Sequence, residues 1–234
     1  MNLKQAFVAA VVAVSANSAS AIVIDDFDTG SGRWDGIVNN VAAGTTGTGF
    51  ARTITTDEFP VVNALTVQIN DGPLLAGLYA HSQDSGLTGI STISYDLNGF
   101  DFSADNGFSV DITSVDITFD PTRSGVLTLA VDGVSVSQAM NDIAPLSSGV
   151  AYFLFSDFAG VDFSNVATVD LTIDGTNLPA LDATIDNFIS GCFPNIPGAG
   201  SCGGPPAQVP APGSLALLGL GFGLLGLRGV RAKR

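Results

Sequence analysis

Basic residues are scarce in this 234-residue chain, and most of them lie at its two ends. Between residues 22 and 208 there is no lysine, and the only arginines are Arg33, Arg52 and Arg123. All 22 acidic residues of the chain lie in that same stretch. Because so acidic a body repels phosphate backbones, nucleic acid is excluded as an expected partner. Divalent cations or basic surfaces would be attracted instead.

Residue types that often carry catalysis are equally scarce. His81 is the only histidine, so a Ser-His-Asp triad would have to use it, and no G-x-S-x-G motif is present. Glu58 is the only glutamate and tryptophan occurs once, which argues against a glycoside hydrolase built on paired carboxylates. The Gly/Thr run at 44–49 precedes no helical pattern, so it is not a phosphate-binding loop. We therefore expect no enzyme, with His81 exposed or at the core edge, and a secreted hydrolase is the least favoured alternative.

The chain contains only two cysteines, Cys192 and Cys202. Nine residues separate them, which is no recognised metal-site spacing, and no histidine lies nearby. An even pair in an exported protein favours a disulfide. Both cysteines lie in a Gly/Pro-rich stretch, residues 190–208, whose composition is typical of a linker.

The N-terminus has the features of a secretory signal peptide, residues 1–21. Lys4 provides a positive start, Ala6 to Val14 is apolar, and Ala19-Ser20-Ala21 has the small residues of a cleavage site. We expect a signal helix here and a mature chain that begins near Ile22.

The body, residues 22–189, has the pattern of β-structure throughout. Short alternating runs separated by turn residues recur, for example at 61–69 and 87–97, and no amphipathic helical period persists. A change of phase at Thr113-Ser114 predicts either a β-bulge or a tight turn. Asp132-Gly133, between two alternating runs, is the strongest hairpin signal. The sequence thus predicts an all-β fold, an antiparallel two-sheet sandwich with a jelly roll as the expected topology.

Similar sequences open and close this body: I-V-I-D-D-F at its start and A-T-I-D-N-F at its end. The arrangement resembles carbohydrate-binding or galactose-binding-like jelly rolls, several of which hold a structural calcium near their paired terminal strands. Asp26, Asp28 and Asp186 could supply oxygen ligands for such a calcium ion. The alternative is that these residues only end strands. A second acidic stretch, residues 101–107, resembles a D-x-S-x-D calcium loop. It is interpreted as an Asn-Gly turn, and calcium binding is the alternative.

Sugar binding usually needs an aromatic platform with polar neighbours. Trp34 lies between Arg33 and Asp35 and would be the stacking residue if its ring were exposed. The alternative is a tryptophan packed over the end of a sheet.

The C-terminal stretch, residues 209–234, has three consecutive parts. They are a proline-containing tetrapeptide (Val209, Pro210, Ala211 and Pro212), an apolar run from Leu215 to Leu227, and a basic end (Arg228, Arg231, Lys233 and Arg234). The run predicts a transmembrane helix that is short against the roughly 20 residues a bilayer requires. Its four glycines weaken that helix, which favours a temporary hold over a lasting anchor.

These three parts resemble a PEP-CTERM sorting domain, with alanine as the middle residue of the usual P-E-P. The resemblance implies export of a bacterial protein, anchoring in the membrane, processing by an exosortase-like enzyme, and an association with exopolysaccharide and biofilm. Lys4 and the basic end would both lie on the cytoplasmic side. We therefore expect a non-catalytic cell-surface or extracellular-matrix protein, and the alternative is a carbohydrate-binding module with a polysaccharide partner.

Overall fold

The computed structural model describes residues 21–116, 123–145 and 147–202. The predicted signal helix and the predicted transmembrane helix of the tail both lie outside these residues. Within the described ranges, no helix is long and apolar enough to cross a membrane.

Thirteen strands and two single-turn helices make up the described part of the chain. The strands are β1 (Ile22–Asp25), β2 (Gly32–Asp35), β3 (Val41–Thr45), β4 (Ala51–Phe59), β5 (Leu65–Ile69), β6 (Tyr79–Gln83), β7 (Thr88–Phe100), β8 (Gly107–Val115), β9 (Val126–Val131), β10 (Val134–Ala139), β11 (Gly149–Leu154), β12 (Val166–Asp174) and β13 (Asp182–Gly191). The helices are α1 (Met140–Ile143) and a 3₁₀ turn at Phe155–Asp157.

The strands form two sheets in which every pair is antiparallel, which confirms the predicted two-sheet sandwich. The order in the first is β11-β8-β13-β6-β5-β2, with β1 also paired to β13, and in the second it is β10-β9-β12-β7-β4-β3. The chain changes sheet between most consecutive strands after β4, as in a jelly roll. Buried and less buried residues alternate along β7 and β9, so the core lies between the sheets.

The first and last strands are neighbours. Ile22 lies opposite Ser190 and Val23 opposite Ile189, so β1 pairs with the second half of β13. The first half of β13 pairs with β6, and β8 runs along its other side. The last strand therefore occupies the middle of the seven-stranded sheet.

One local prediction is confirmed, and one pair of alternatives is decided in favour of a β-bulge. Asp132 (φ 47°) and Gly133 (φ 82°) form the two-residue connection between β9 and β10, and both adopt the left-handed conformation that a type I′ hairpin turn requires. In β8, Ser114 lies opposite Thr184 while Ile112 lies opposite Ile185. Thr113 is therefore the extra residue of a β-bulge, at the predicted change of phase.

Two boundaries differ from the sequence pattern. The run at 61–69 alternates, yet β5 begins only at Leu65. The Glu58 carboxylate accepts hydrogen bonds from four successive backbone N–H groups, those of residues 62–65. These N–H groups are therefore not available to pair with a neighbouring strand. At the other end of the body, β13 continues to Gly191, two residues beyond the expected limit of the domain.

Candidate functional site

The predicted disulfide is confirmed: Cys192 is bonded to Cys202. The loop that it closes is also held against the sandwich by Asn106. The Asn106 side-chain amide donates to the Gly200 carbonyl (2.8 Å), and its oxygen accepts from the Phe193 N–H (2.8 Å). Residues 190–202, interpreted as linker from their composition, are therefore fixed to the fold in a defined position.

The three proposed calcium ligands lie near the paired terminal strands. Asp26 and Asp28 follow β1, and the Asp28 N–H donates to an Asp26 carboxylate oxygen (3.2 Å). Asp186 lies in β13, where burial raises the pKa of its carboxyl and the negative charges of Asp111, Asp28 and Asp26 raise it further. Among the described residues, no group of three or more His, Cys, Asp or Glu side chains is arranged to hold a metal ion. Calcium binding stays a prediction.

Trp34 lies on β2, at one edge of the seven-stranded sheet. Its ring is half-buried, packs against the core, and lies over Gly32 so closely that a Cβ there would clash. Arg33 and Asp35 lie on the opposite face of the strand and form an exposed ion pair (Nε to Oδ1, 3.0 Å). Sugar stacking on Trp34 stays a prediction.

The end of β4 and the loop that follows it present an exposed aromatic ring that sequence reasoning did not single out. Phe59 is 75% exposed, and Val61 and Val62 beside it are exposed as well. A cavity of about 210 Å³ opens next to this loop; its lining residues are Pro60, Val62, Ala64, Asp84, Ser85, Gly86 and Leu87. The Phe59 loop, residues 59–64, thus combines an exposed ring, a cavity and polar neighbours.

Glu58 holds the Phe59 loop in shape. Burial acts to raise the pKa of Glu58, but the hydrogen bonds that its carboxylate accepts from residues 62–65, led by that of the Leu65 N–H, outweigh burial and lower it. The carboxylate therefore stays ionised and continues to bind the loop backbone in mildly acidic solution.

A buried ion pair joins Asp25, at the end of β1, to Arg52 on β4 of the six-stranded sheet. Arg52 Nη1 lies 2.6 Å from Asp25 Oδ2, and neither side chain is exposed. Arg52 also donates to the carbonyls of Ala43 (2.9 Å) and Thr29, and Tyr95 donates its hydroxyl to Asp25 (3.1 Å). Burial raises the pKa of Asp25, and the charge and hydrogen bond of Arg52 act against that rise.

His81 is fully enclosed, so its predicted place at the surface or core edge is wrong. It lies on β6 with 1% of its surface exposed, and its Nδ1 is 2.7 Å from Ser91 Oγ on β7 in the other sheet. Ser91 also accepts a hydrogen bond from the Tyr79 hydroxyl (2.5 Å). A polar network therefore crosses the core between the two sheets.

The other His81 nitrogen faces Gln83. The Gln83 amide nitrogen donates to the Gly89 carbonyl (2.9 Å) and its oxygen accepts from the Leu181 N–H (3.3 Å), which fixes the orientation of the amide. The same nitrogen lies 2.9 Å from His81 Nε2, so Nε2 must be an acceptor. The ring proton is then on Nδ1 and is donated to Ser91.

We expect stability to fall as pH is lowered from about 6.5 to about 4. Burial lowers the pKa of His81 to about 4, although the Asp174 charge opposes this. Over that interval the unfolded chain binds a proton that the folded protein does not, so protonation favours unfolding. The loss amounts to roughly 3 kcal/mol at 1.36 kcal/mol per pKa unit. Urea unfolding across the interval measures it.

The control is His81→Gln, which keeps a polar side chain but does not titrate. Because His81 is the only histidine, the difference in unfolding free energy between wild type and variant cancels the carboxylates that titrate nearby. A difference that stays constant across the interval would contradict the assignment.

Comparison with solved structures finds loose likenesses. The family 11 carbohydrate-binding module of the cellulosomal cellulase Lic26A-Cel5E of Clostridium thermocellum matches with a TM-score of 0.38 and 14% identity, over 76% of this chain and 99% of that one. A family 29 carbohydrate-binding module matches with a TM-score of 0.38 and 11% identity, over 74% of this chain and 88% of that one. A family 29 module from Piromyces equi matches with a TM-score of 0.36 and 12% identity, over 76% of this chain and 95% of that one.

A search of curated protein sequences finds no match to this chain. A comparison with protein families matches residues 208–234 to the PEP-CTERM protein-sorting motif. The match contains the whole of the predicted tail, from Val209 through the basic end at Arg234. The C-terminal residues of this chain are therefore a PEP-CTERM protein-sorting motif.

Proposed function

We propose that this chain is an exported, non-catalytic protein of the bacterial cell surface or extracellular matrix. In this proposal the sorting motif holds it at the membrane until an exosortase-like enzyme removes the tail, and the mature body works where exopolysaccharide and biofilm are formed. The observation that carries the proposal is the sorting motif at residues 208–234. In this proposal the motif determines where the protein is sent, and the sandwich is the part that remains after processing.

The environment of His81 supports a non-catalytic body. A triad would need this only histidine to reach a substrate, but it is buried between the sheets and both ring nitrogens are engaged within the core. Burial also keeps its pKa near 4, so the ring is neutral in ordinary media.

The intact mass of the protein recovered from the culture medium tests the sorting proposal. We expect a chain that begins near Ile22 and ends between Pro210 and Gly213. The matched variant replaces both Pro210 and Pro212 with alanine, and we expect its mass to retain Arg234 in the membrane fraction. Recovery of wild-type protein from the medium with Arg234 still present would contradict processing.

Carbohydrate binding is the second candidate, and the exposed ring of Phe59 favours it. A ring that is 75% exposed offers a stacking face, and Asp84 and Ser85 beside the cavity offer hydrogen-bonding groups for hydroxyls. The acidic body would select neutral over anionic glycans.

Pull-down with insoluble neutral polysaccharides separates the two candidates. A matrix protein without glycan affinity stays in the supernatant, whereas a binding module sediments with the polymer. Phe59→Ala and Trp34→Ala then distinguish the two aromatic sites, and Val61→Ala is the control for loss of apolar surface alone. Binding that survives both aromatic substitutions would exclude stacking on either ring.

A further inference from the structure

The two sheets end in four strands, and three of these edges carry features that disfavour further pairing. On one side of the sandwich, β2 carries the charged Arg33 and Asp35. On β3, the register is bulged between Ala42 and Thr45, and the Ala43 carbonyl already accepts from Arg52. Charges and bulges on edge strands are how proteins prevent unwanted strand addition.

The edge of β11 is partly occupied by a side chain. The Gln138 side chain donates to the Tyr152 carbonyl (2.6 Å) and so occupies a backbone acceptor of that strand. The short β1, which pairs only with β13, is four residues long and has its Ile24 carbonyl bound by Thr48.

The fourth edge, β10, has no such protection. Its sequence, Val-Ser-Val-Ser-Gln-Ala, contains no charge and no proline, and it pairs with β9 without a bulge. Val134 and Val131 flank the two-residue turn as a hydrogen-bonded pair, so the backbone N–H and C=O groups of Ser135 and Ser137 point away from β9. Both serines are exposed, and within the described residues nothing pairs with this free edge.

The core is also incompletely covered at this edge. Val134 and Val136 pack against the core from the inner face of β10, yet both are only half-buried. A further strand alongside β10 would cover these valines while it satisfied the free backbone groups. The edge therefore offers both hydrogen bonding and apolar burial to an added strand.

We propose that β10 pairs antiparallel with β10 of a second copy of this chain. The strand has a serine on each side of Val136. A twofold axis at Val136 therefore places Ser135 opposite Ser137 of the second copy, so that serine pairs with serine. The outward-facing groups of these serines then form hydrogen-bonded pairs, and the two six-stranded sheets become one. Twofold symmetry is the commonest arrangement of soluble homo-oligomers.

The charge of the chain makes self-pairing salt-dependent. Two bodies that both carry a large excess of acidic residues repel each other, while the paired strands themselves carry no charge. Screening by salt weakens the repulsion and leaves the backbone hydrogen bonds in place. We expect the dimer fraction to rise with sodium chloride concentration.

A cysteine substitution at Val136 tests the register. Two residues facing each other in a non-hydrogen-bonded pair have Cα atoms about 4.5 Å apart, within the range of a disulfide. Because Cys192 and Cys202 are bonded to each other, Val136→Cys introduces a single free thiol. We expect a covalent dimer of the purified exported protein under mild oxidation. Ser135→Cys is the control. Its thiol faces position 137 of the second copy and not a second thiol, so it should form far less covalent dimer.

Sedimentation velocity tests the edge itself. Ser137→Pro removes an outward N–H without touching the β9 ladder, because proline is tolerated where the N–H of an edge strand faces solvent. We expect a dimer for wild type and for the control Ser137→Thr, and a monomer for Ser137→Pro. Wild type that remains monomeric at high salt, or a dimer that persists in Ser137→Pro with no cross-link through Val136→Cys, would overturn the proposal.

Discussion

Arg52→Met should lower the free energy of unfolding by roughly 3–5 kcal/mol, as expected when one partner of a buried ion pair is removed. The Asp25 carboxylate, which Arg52 contacts at 2.6 Å, would stay in the interior without its counter-charge. The carbonyls of Ala43 and Thr29 would also lose their donor. Methionine fills much of the same space, so the loss reports the charge and the hydrogen bonds more than a cavity. Urea unfolding measures it.

Arg33→Met is the matched control, because Arg33 also forms an ion pair, with Asp35. It lies 3.0 Å from Asp35, but both side chains are about half exposed. Exposed pairs contribute about 0–1 kcal/mol, so this variant should unfold close to wild type. Equal losses in the two variants would contradict the view that burial gives the Arg52 pair its importance.

Phe108→Ala should lower the free energy of unfolding by a similar amount, about 3–5 kcal/mol, for a different reason. Phe108 is fully buried at the start of β8, and its ring has five aromatic neighbours with centroids between 5.0 and 6.5 Å away. Those neighbours are Phe102, Phe155, Phe158, Phe163 and Phe188. They come from three parts of the chain, namely the loop after β7, the segment between β11 and β12, and β13. They cannot all move in to fill the gap, so truncation leaves a cavity. Thermal or urea unfolding detects the change.

Phe59→Ala is the same substitution at an exposed ring. With 75% of its surface in solvent, Phe59 contributes little to the core, and the change should alter stability by no more than about 0.5 kcal/mol. Similar losses at both positions would mean that the aromatic cluster around Phe108 is not the centre of the core.

Strand alternation and turn chemistry were readable from the sequence because both are local. The Asp132-Gly133 hairpin needs two consecutive residues with positive φ, and Asp-Gly provides them. The bulge at Thr113 showed as a change in hydrophobic phase, since one extra residue moves every later side chain to the other face. The sorting motif was equally visible, because its three parts follow one another in a fixed order.

Features that depend on distant partners could not be read in this way. Arg52 appeared as one of three arginines, and nothing near it in sequence indicates that Asp25 lies against it. His81 is buried because Ser91, from the other sheet, provides its partner. The interpretation of Asn106-Gly107 as a turn is wrong, because Gly107 is the first residue of β8 and the Asn106 side chain binds the Gly200 carbonyl, 94 residues away. Charge and composition describe a residue, whereas burial depends on the pairing of the sheets.

The central position of β13 has a consequence for the order in which the protein can fold. A chain that emerges from its N-terminus releases β1, β6 and β8 well before β13, yet all three need β13 as a neighbour in the sheet. Until residue 191 has emerged, the seven-stranded sheet lacks its middle, and the contacts that close it join residues far apart in sequence, which slows folding. The seven-stranded sheet therefore cannot be completed until its last strand is available.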